Sequence, residues 1–347
     1  MSCTEKIIAA GQGRIVKAYM ESLNQKILLF FTLTVLTFLV ALYAMAHGAY
    51  DISFTDVLSA LTGRSKSAAG VVIMDIRMPR IVSAIIAGWG LSLSGLCIQS
   101  LLRNPLGSPS TLGISQGAAF GAAFAIVLFG SQVFSATVFA FAGAFTAGLI
   151  ILILATIKRL SGEAIILSGV AMASLFASAT VLIQYLATEI ELAAVVFWTF
   201  GDVARSNWLE IGIMTAATLL TTVYLVLRRW DFNAFSAGEE TARGLGVNVT
   251  RIRYVGIFMI SLAAALITAF LGVIAFVGLI APHVARRIIG DDHRMLIPFS
   301  AIIGALLLLA ADTIGRLALG SGSLPVGVIT SFLGAPMFLY LLIRGYQ

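Results

Sequence analysis

The side chains able to do acid–base, metal or nucleophilic chemistry are few and far apart in this sequence. Three histidines, His47, His283 and His293, and two cysteines, Cys3 and Cys97, share no spacing that holds a metal or builds a disulfide framework. His283 follows Pro282 inside an apolar run, where an ionisable group costs about 2.5 to 3.5 kcal/mol and tends to serve transport. With no carboxylate near it in sequence, a neutral ring bonded to backbone is favoured over a proton relay. Asp312 and Arg316 stand at i, i+4 spacing, which predicts a mutual ion pair that can still present Arg316 outward. The stretch "LLRNPLG" (101–107) lacks the glycine spacing and Lys-Ser/Thr ending of a phosphate loop. Without a nucleotide loop, a nucleophile–base pair or a metal cluster, the chain is not expected to be an enzyme.

These residues sit in a chain whose solvent is lipid. Of 347 residues, 59% are hydrophobic and 11% charged, with a mean hydropathy of +1.01, whereas a soluble domain carries about 25% charged residues. Apolar runs near the roughly 20 residues that cross a bilayer core fall at 27–46, 80–102, 113–130, 134–157, 164–187, 208–227, 253–270, 272–289, 296–315 and 326–343. The seventh and eighth are separated only by 271–273, which predicts a tight bend or a re-entrant piece. The runs do not alternate as barrel strands must, so the fold class is an all-α polytopic membrane protein of about ten transmembrane helices. Ala44-Met45-Ala46 resembles a signal-peptide cleavage site, but the run before it exceeds the 7 to 15 residues of a signal's apolar core and reads as a retained first span.

Ten spans place both termini on one side. That side collects 16 Lys and Arg residues against six (Arg64, Lys66, Arg77, Arg80, Arg205 and Arg316) on the other, so the positive-inside rule makes it cytoplasmic. The net charge of +6 is therefore topological, and no nucleic-acid partner is expected. Residues 1–26 read as a cytoplasmic N-terminal segment and 27–347 as a single membrane domain. Its long connections are 49–78 and 188–207 outside and 228–252 inside. Within the last, Ala237 to Leu245 reads as a short amphipathic helix stopped by Gly246. A helix that short must pack on the membrane domain or on a partner. Glycines 88, 90, 95, 117 and 121 suit close helix packing in lipid, and Pro105 and Pro109 around Gly107 predict a break in helicity at the inner membrane edge.

Three stretches together resemble the FecCD family, the permease subunits of ABC importers for iron-siderophores, haem and vitamin B12. They are "RMPRIVSAIIAGWGLSLSGLCIQSLLRNPLGSPSTLGISQGA", "AGEETARGLGV" and "GVIAFVGLIAPHVARRIIGDDHRMLIPFSAIIGALLLLAADTIGRLA" followed by "LPVGVITSFLGAPMFLYLLIR". The resemblance runs from about Ile52 to Arg344 with the motifs in family order.

It implies the type II ABC importer permease fold in a bacterial or archaeal cytoplasmic membrane, as a homodimer or a heterodimer with a related permease. Two ATPase subunits and one external solute-binding protein complete the machine. This chain would hold no cofactor, with ATP and Mg on the ATPase. Gly238, Glu239, Ala242, Leu245 and Gly246 match the helix that couples to the ATPase. Arg77, Arg80 and Arg316 match positions that dock the binding protein, and Asn104 with Leu106 and Gly162 with Glu163 match cytoplasmic gates. Gly162-Glu163 departs from the small hydroxyl residues of a vitamin B12-importing member; two facing carboxylates would repel or recruit a cation. Met172, Phe176, Gln184 and Phe338 become path-lining candidates. The implied cargo is a metal chelate, first an iron-siderophore or haem, then cobalamin, with molybdate or tungstate third. An ion-coupled secondary carrier is the rival, but the spans offer only Gln99, Gln184 and His283 as strongly polar central groups.

Overall fold

A computed structural model describes residues 3–48, 52–62, 68–130, 133–158, 162–318 and 324–343. Arg64, Lys66, Arg159 and Arg344 of the basic tally, and part of the 49–78 connection, lie outside the described residues. The described residues are nearly all helical, in the order α1 (Cys3–Ala46), α2 (Phe54–Leu61), α3 (Ala68–Val71), α4 (Met78–Leu102), α5 (Ile114–Phe129), α6 (Val133–Lys158), α7 (Gly162–Leu186), α8 (Glu189–Thr199) and α9 (Trp208–Leu227). There follow α10 (Arg229–Ser236), α11 (Glu239–Gly244), α12 (Val249–Leu271), α13 (Val277–Ile289), α14 (His293–Ala318) and α15 (Val326–Ile343). A π-helical turn, Val72–Arg77, joins α3 to α4.

Each of the ten apolar runs is met by one helix: α1, α4, α5, α6, α7, α9, α12, α13, α14 and α15. Seven of the described helical segments are long and apolar enough to cross a bilayer: α1, α3–α4, α6, α7, α9, α12 and α14. With 16 and 18 residues, α5 and α15 are shorter. The 13 residues of α13 span only about 20 Å at 1.5 Å per residue. It starts at Val277 rather than 272 because Gly272 (φ +78°) and Phe276 (φ +66°) take left-handed backbone conformations. The extended residues between them pair with the segment after α8. Phe200 bridges Val273, and the Asp202 N–H donates to the Leu271 carbonyl at 2.8 Å. This meets the requirement that non-helical backbone at membrane depth be satisfied within the protein.

Other elements also depart from expectation. α1 runs unbroken from Cys3 into the first apolar run. The 188–207 connection contains α8, started by a capping box in which Thr188 and Glu191 exchange side-chain and backbone bonds. The expected 237–245 helix begins only at Glu239, because Gly238 sits at φ +125°, and α10 precedes it.

At the centre stands α4, buried along nearly its whole length, as a helix apolar all round must be. Packed on it are α14, α12, α13 and α9. Contact on so many sides works because the facing backbones touch at glycine. A methyl group on Gly88 would overlap the Gly304 carbonyl, and one on Gly95 the Gly278 carbonyl. The Ser92 hydroxyl adds a 2.6 Å bond to the Ser300 carbonyl. Gly95→Ala is expected to destabilise the fold by at least the roughly 1–3 kcal/mol of ordinary overpacking. Gly212→Ala on α9, with open space where its methyl would go, should leave stability unchanged. Thermal unfolding of the purified protein in detergent checks both.

Candidate functional site

Two groups of polar side chains mark the ends of the α4–α14 pair. At one end the structure brings the three expected docking arginines together around Asp312. The π-helical turn carries Arg77 inward, where its guanidinium is buried and donates to the Met45 carbonyl at 2.5 Å. Arg80, on the first turn of α4, grips the fully buried Asp312 with two nitrogens at 2.7 and 2.9 Å. Its Nη2 also lies 3.8 Å from Asp202. Arg316 reaches Asp312 at 3.4 Å, as the i, i+4 spacing predicts, and donates to the Ala44 carbonyl at 3.2 Å. The carbonyls of Ala44 and Met45 end α1, where cations are favoured. These arginines are therefore occupied within the chain, and they fasten α1, α4 and α14 to one another.

At the other end, which carries the basic loop, α10 and α11 form a hairpin. Phe232 and Phe235 bury completely and root α10 in the core. On α11, Ala242 is fully buried against its own chain, while Glu240, Arg243 and Leu245 are exposed. Of the expected coupling residues, Gly238 and Gly246 take the positive φ values that frame α11. Glu239 bonds Arg243 at 2.8 Å and Arg253 of α12 at 2.9 Å, which ties α11 to a span. Burial pushes the Glu239 carboxyl up, but the Arg253 and Arg243 guanidiniums outweigh it and hold the group below the usual carboxylate range.

The expected gate residues lie near the end of α4. Gly162, at the start of α7, packs on the backbone of Leu102, and a methyl there would fall 2.6 Å from its carbonyl. Two residues on, Asn104 Oδ1 accepts from the Leu106 N–H at 2.8 Å. Leu106 and Glu163 are exposed. The helix break expected around Gly107 begins at Arg103, which ends α4 at φ +49°. The path-lining candidates are not gathered into one cluster. Met172, Phe176 and Gln184 are half-buried on α7 and Phe338 on α15, with the Phe176 ring 5.8 Å from Phe120 of α5. Both helices turn large apolar side chains outward, including Leu167, Leu182, Tyr185, Phe332 and Ile343.

His283 is half-buried on α13, whereas His293 is buried at the start of α14, bonded to Ser100 Oγ at 2.8 Å and Asn233 Oδ1 at 2.9 Å. Beside it, Asp292 accepts from Arg294 and Asn233. The Arg294 side chain foremost holds the Asp292 carboxyl far below the usual carboxylate range. The signal in sequence was the acidic pair and histidine, Asp291-Asp292-His293, directly before an apolar run.

A bundle of membrane-length helices with a short helical hairpin at its basic end defines a polytopic membrane protein. Residues 33–344 match the model of the FecCD transport family, and the chain belongs to that family. It is an ABC importer permease. An ABC transporter permease protein of Methanocaldococcus jannaschii is 48% identical, over 96% of this chain and 99% of the relative. The Fe(3+)-citrate import system permease YfmE of Bacillus subtilis is 35% identical, over 89% of this chain and 93% of that one. A solved metal-chelate type ABC transporter in an inward-facing conformation superposes with a TM-score of 0.81 at 32% identity, covering 91% of this chain and 99% of the other.

Removing one partner of a buried ion pair leaves an uncompensated charge worth about 3–5 kcal/mol. Asp312→Ala should therefore lower stability by about that much, and Asp202→Ala, partly exposed and 3.8 Å away, by less than about 1 kcal/mol, as urea or thermal unfolding in detergent reads. For Asp292, whose folded pKa is depressed, the stabilisation is present above the unfolded carboxyl's pKa of about 3.9 and is lost as pH falls below it. The stability gap between the unmodified chain and Asp292→Asn should accordingly close on acidification.

Proposed function

We propose that this chain forms half of the translocation path of a binding-protein-dependent importer of metal chelates, with an iron-siderophore or haem as cargo. The observation that carries this reading is the hairpin at the basic end. α11 offers Glu240, Arg243 and Leu245 to a partner, while Glu239 ties the same helix to α12 through Arg253. A push on that helix therefore reaches a membrane span. The partner would be one of two ATPase subunits, with ATP and Mg bound there and no cofactor on this chain. The termini and the hairpin would face the cytoplasm. A second copy, or a related permease, would cover the apolar outer faces of α7 and α15.

At the opposite end the arginine cluster would receive a solute-binding protein. Acidic groups on its lobes would compete with Asp312 and with the α1 carbonyls, so docking strength should fall with salt. Substrate selection belongs to that protein. Relatives named for Fe(3+)-citrate, hemin, vitamin B12 or cobalamin, and molybdate stand together at 32–38% identity to this chain, as expected of a path that tolerates different cargo.

The test is reconstitution of the chain with its ATPase and binding protein in vesicles, followed by uptake of a ferric siderophore, haem and cobalamin in parallel. One chelate should accumulate only with ATP and binding protein. Glu239→Arg, which sets a third guanidinium against Arg243 and Arg253, should cut that uptake by about tenfold or more. Uptake without ATP, or driven by a proton gradient, would overturn the proposal.

A further inference from the structure

The hairpin has two helices, and they hold the membrane domain differently. α11 reaches it chiefly through the buried Ala242 and the Glu239–Arg253 ion pair. α10 is gripped by three successive positions at the start of α14. Trp230 lies under the Arg294 guanidinium at 5.0 Å, Phe232 stacks on the His293 ring at 5.6 Å, and Asn233 bonds both Asp292 and His293.

The chemistry of the Asn233 amide allows one orientation. Its Oδ1 faces two donors, the His293 N–H at 2.8 Å and the ring Nδ1 at 2.9 Å, and its Nδ2 faces the Asp292 carboxylate at 3.0 Å. An amide oxygen only accepts, so Nδ1 carries a proton. The other ring nitrogen, Nε2, meets the Ser100 hydroxyl on the last turn of α4 at 2.8 Å. His293 thus joins the beginning of α14 to the end of α4, and one amide on α10 holds its ring and backbone N–H in place. α14 and α4 are the two helices whose backbones touch at Gly88 and Gly304 and which Arg80 and Asp312 bolt together at their far ends. A cavity of about 250 Å³, lined by Gln99, Ser100, Asn104, Ser236 and Arg286 among others, lies beside the join and leaves α10 room to shift.

We infer that Asn233 is the positioning residue through which movement of the ATPase-facing hairpin is handed to the α4–α14 pair, which then moves as one strut. This goes beyond the expected coupling residues, all of which lie on α11 or flank it, and it rests on the reading of the chain as an ATPase-driven permease. Asn233 touches no cargo and no nucleotide; it acts through His293 and Ser100.

The experiment uses the permease–ATPase complex in membranes, with Cys3→Ser and a reporter cysteine, Leu106→Cys, at the exposed turn after α4. The rate of maleimide labelling is measured with and without ATP plus vanadate. In the complex with Asn233 intact, nucleotide trapping should change that rate by about fivefold or more. Asn233→Leu should abolish the change while the ATPase stays bound and traps nucleotide as before. The reciprocal pair Asn233→Asp with Asp292→Asn, which exchanges donor and acceptor across the same contact, should restore it. A full response in Asn233→Leu overturns the inference. So does loss of the response only in proportion to lost ATPase binding, which would make Asn233 a folding residue. An unmodified chain that captures no ATPase would instead overturn the permease reading beneath it.

Discussion

Peptide groups inside a bilayer have no water to bond, and apolar helices there gain nothing from hydrophobicity by pressing together. Whatever holds such a bundle must be close contact and polar bonds made within the protein. In this chain the first requirement falls on α4, whose glycines let α14 and α13 approach until backbone meets backbone. The second requirement falls on the ends of α4, where Arg80 closes on Asp312 and Ser100 closes on His293.

This arrangement divides the molecule by burial. Buried helices with fixed contacts at both ends form a stiff centre, and α7, α8 and α15 lie outside it with large apolar side chains uncovered. Alternating access needs such a division, since a packed core switches between discrete arrangements and does not deform smoothly. Between the two zones lies the extended stretch 272–276. It is held to the segment after α8 by the Phe200–Val273 bridge, and Gly327 at the start of α15 donates to the Gly201 carbonyl at 3.1 Å. Arg205 adds bonds to the Phe197 and Trp198 carbonyls that close the end of α8. One irregular crossing therefore gathers α8, α12, α13 and α15.

The arginine cluster is a structural bond within the chain, tying α1, α4 and α14 together. Its guanidiniums are held within the chain by the buried Asp312 carboxylate, by Asp202 beside Arg80 and by the carbonyls that end α1. Such a cluster is stable without a partner, and an acidic partner would have to offer more than Asp312 already does. Buried charge that is paired in this way fixes geometry more than it adds stability.

Composition and apolar run length alone determined that the chain lives in lipid, that it is helical and where ten of its helices lie, because a bilayer imposes length and hydropathy on each segment independently. Local rules also located the Asp312–Arg316 pair and Gly246 as the stop after α11, but they set the break after α4 around Gly107 where it begins at Arg103, and took Gly238 into the helix that it precedes; the Thr188-x-x-Glu191 box holds the local signal for α8. The tertiary structure decided the rest. Nothing local to Arg80 announces a partner 232 residues away, and nothing near Asn233 announces His293, 60 residues on. It also turned Ala242 inward and shortened α13 to 13 residues. Pairings of this kind depend on which helices come to lie side by side. That is settled by the fit of small residues between distant segments, which no stretch of sequence records by itself.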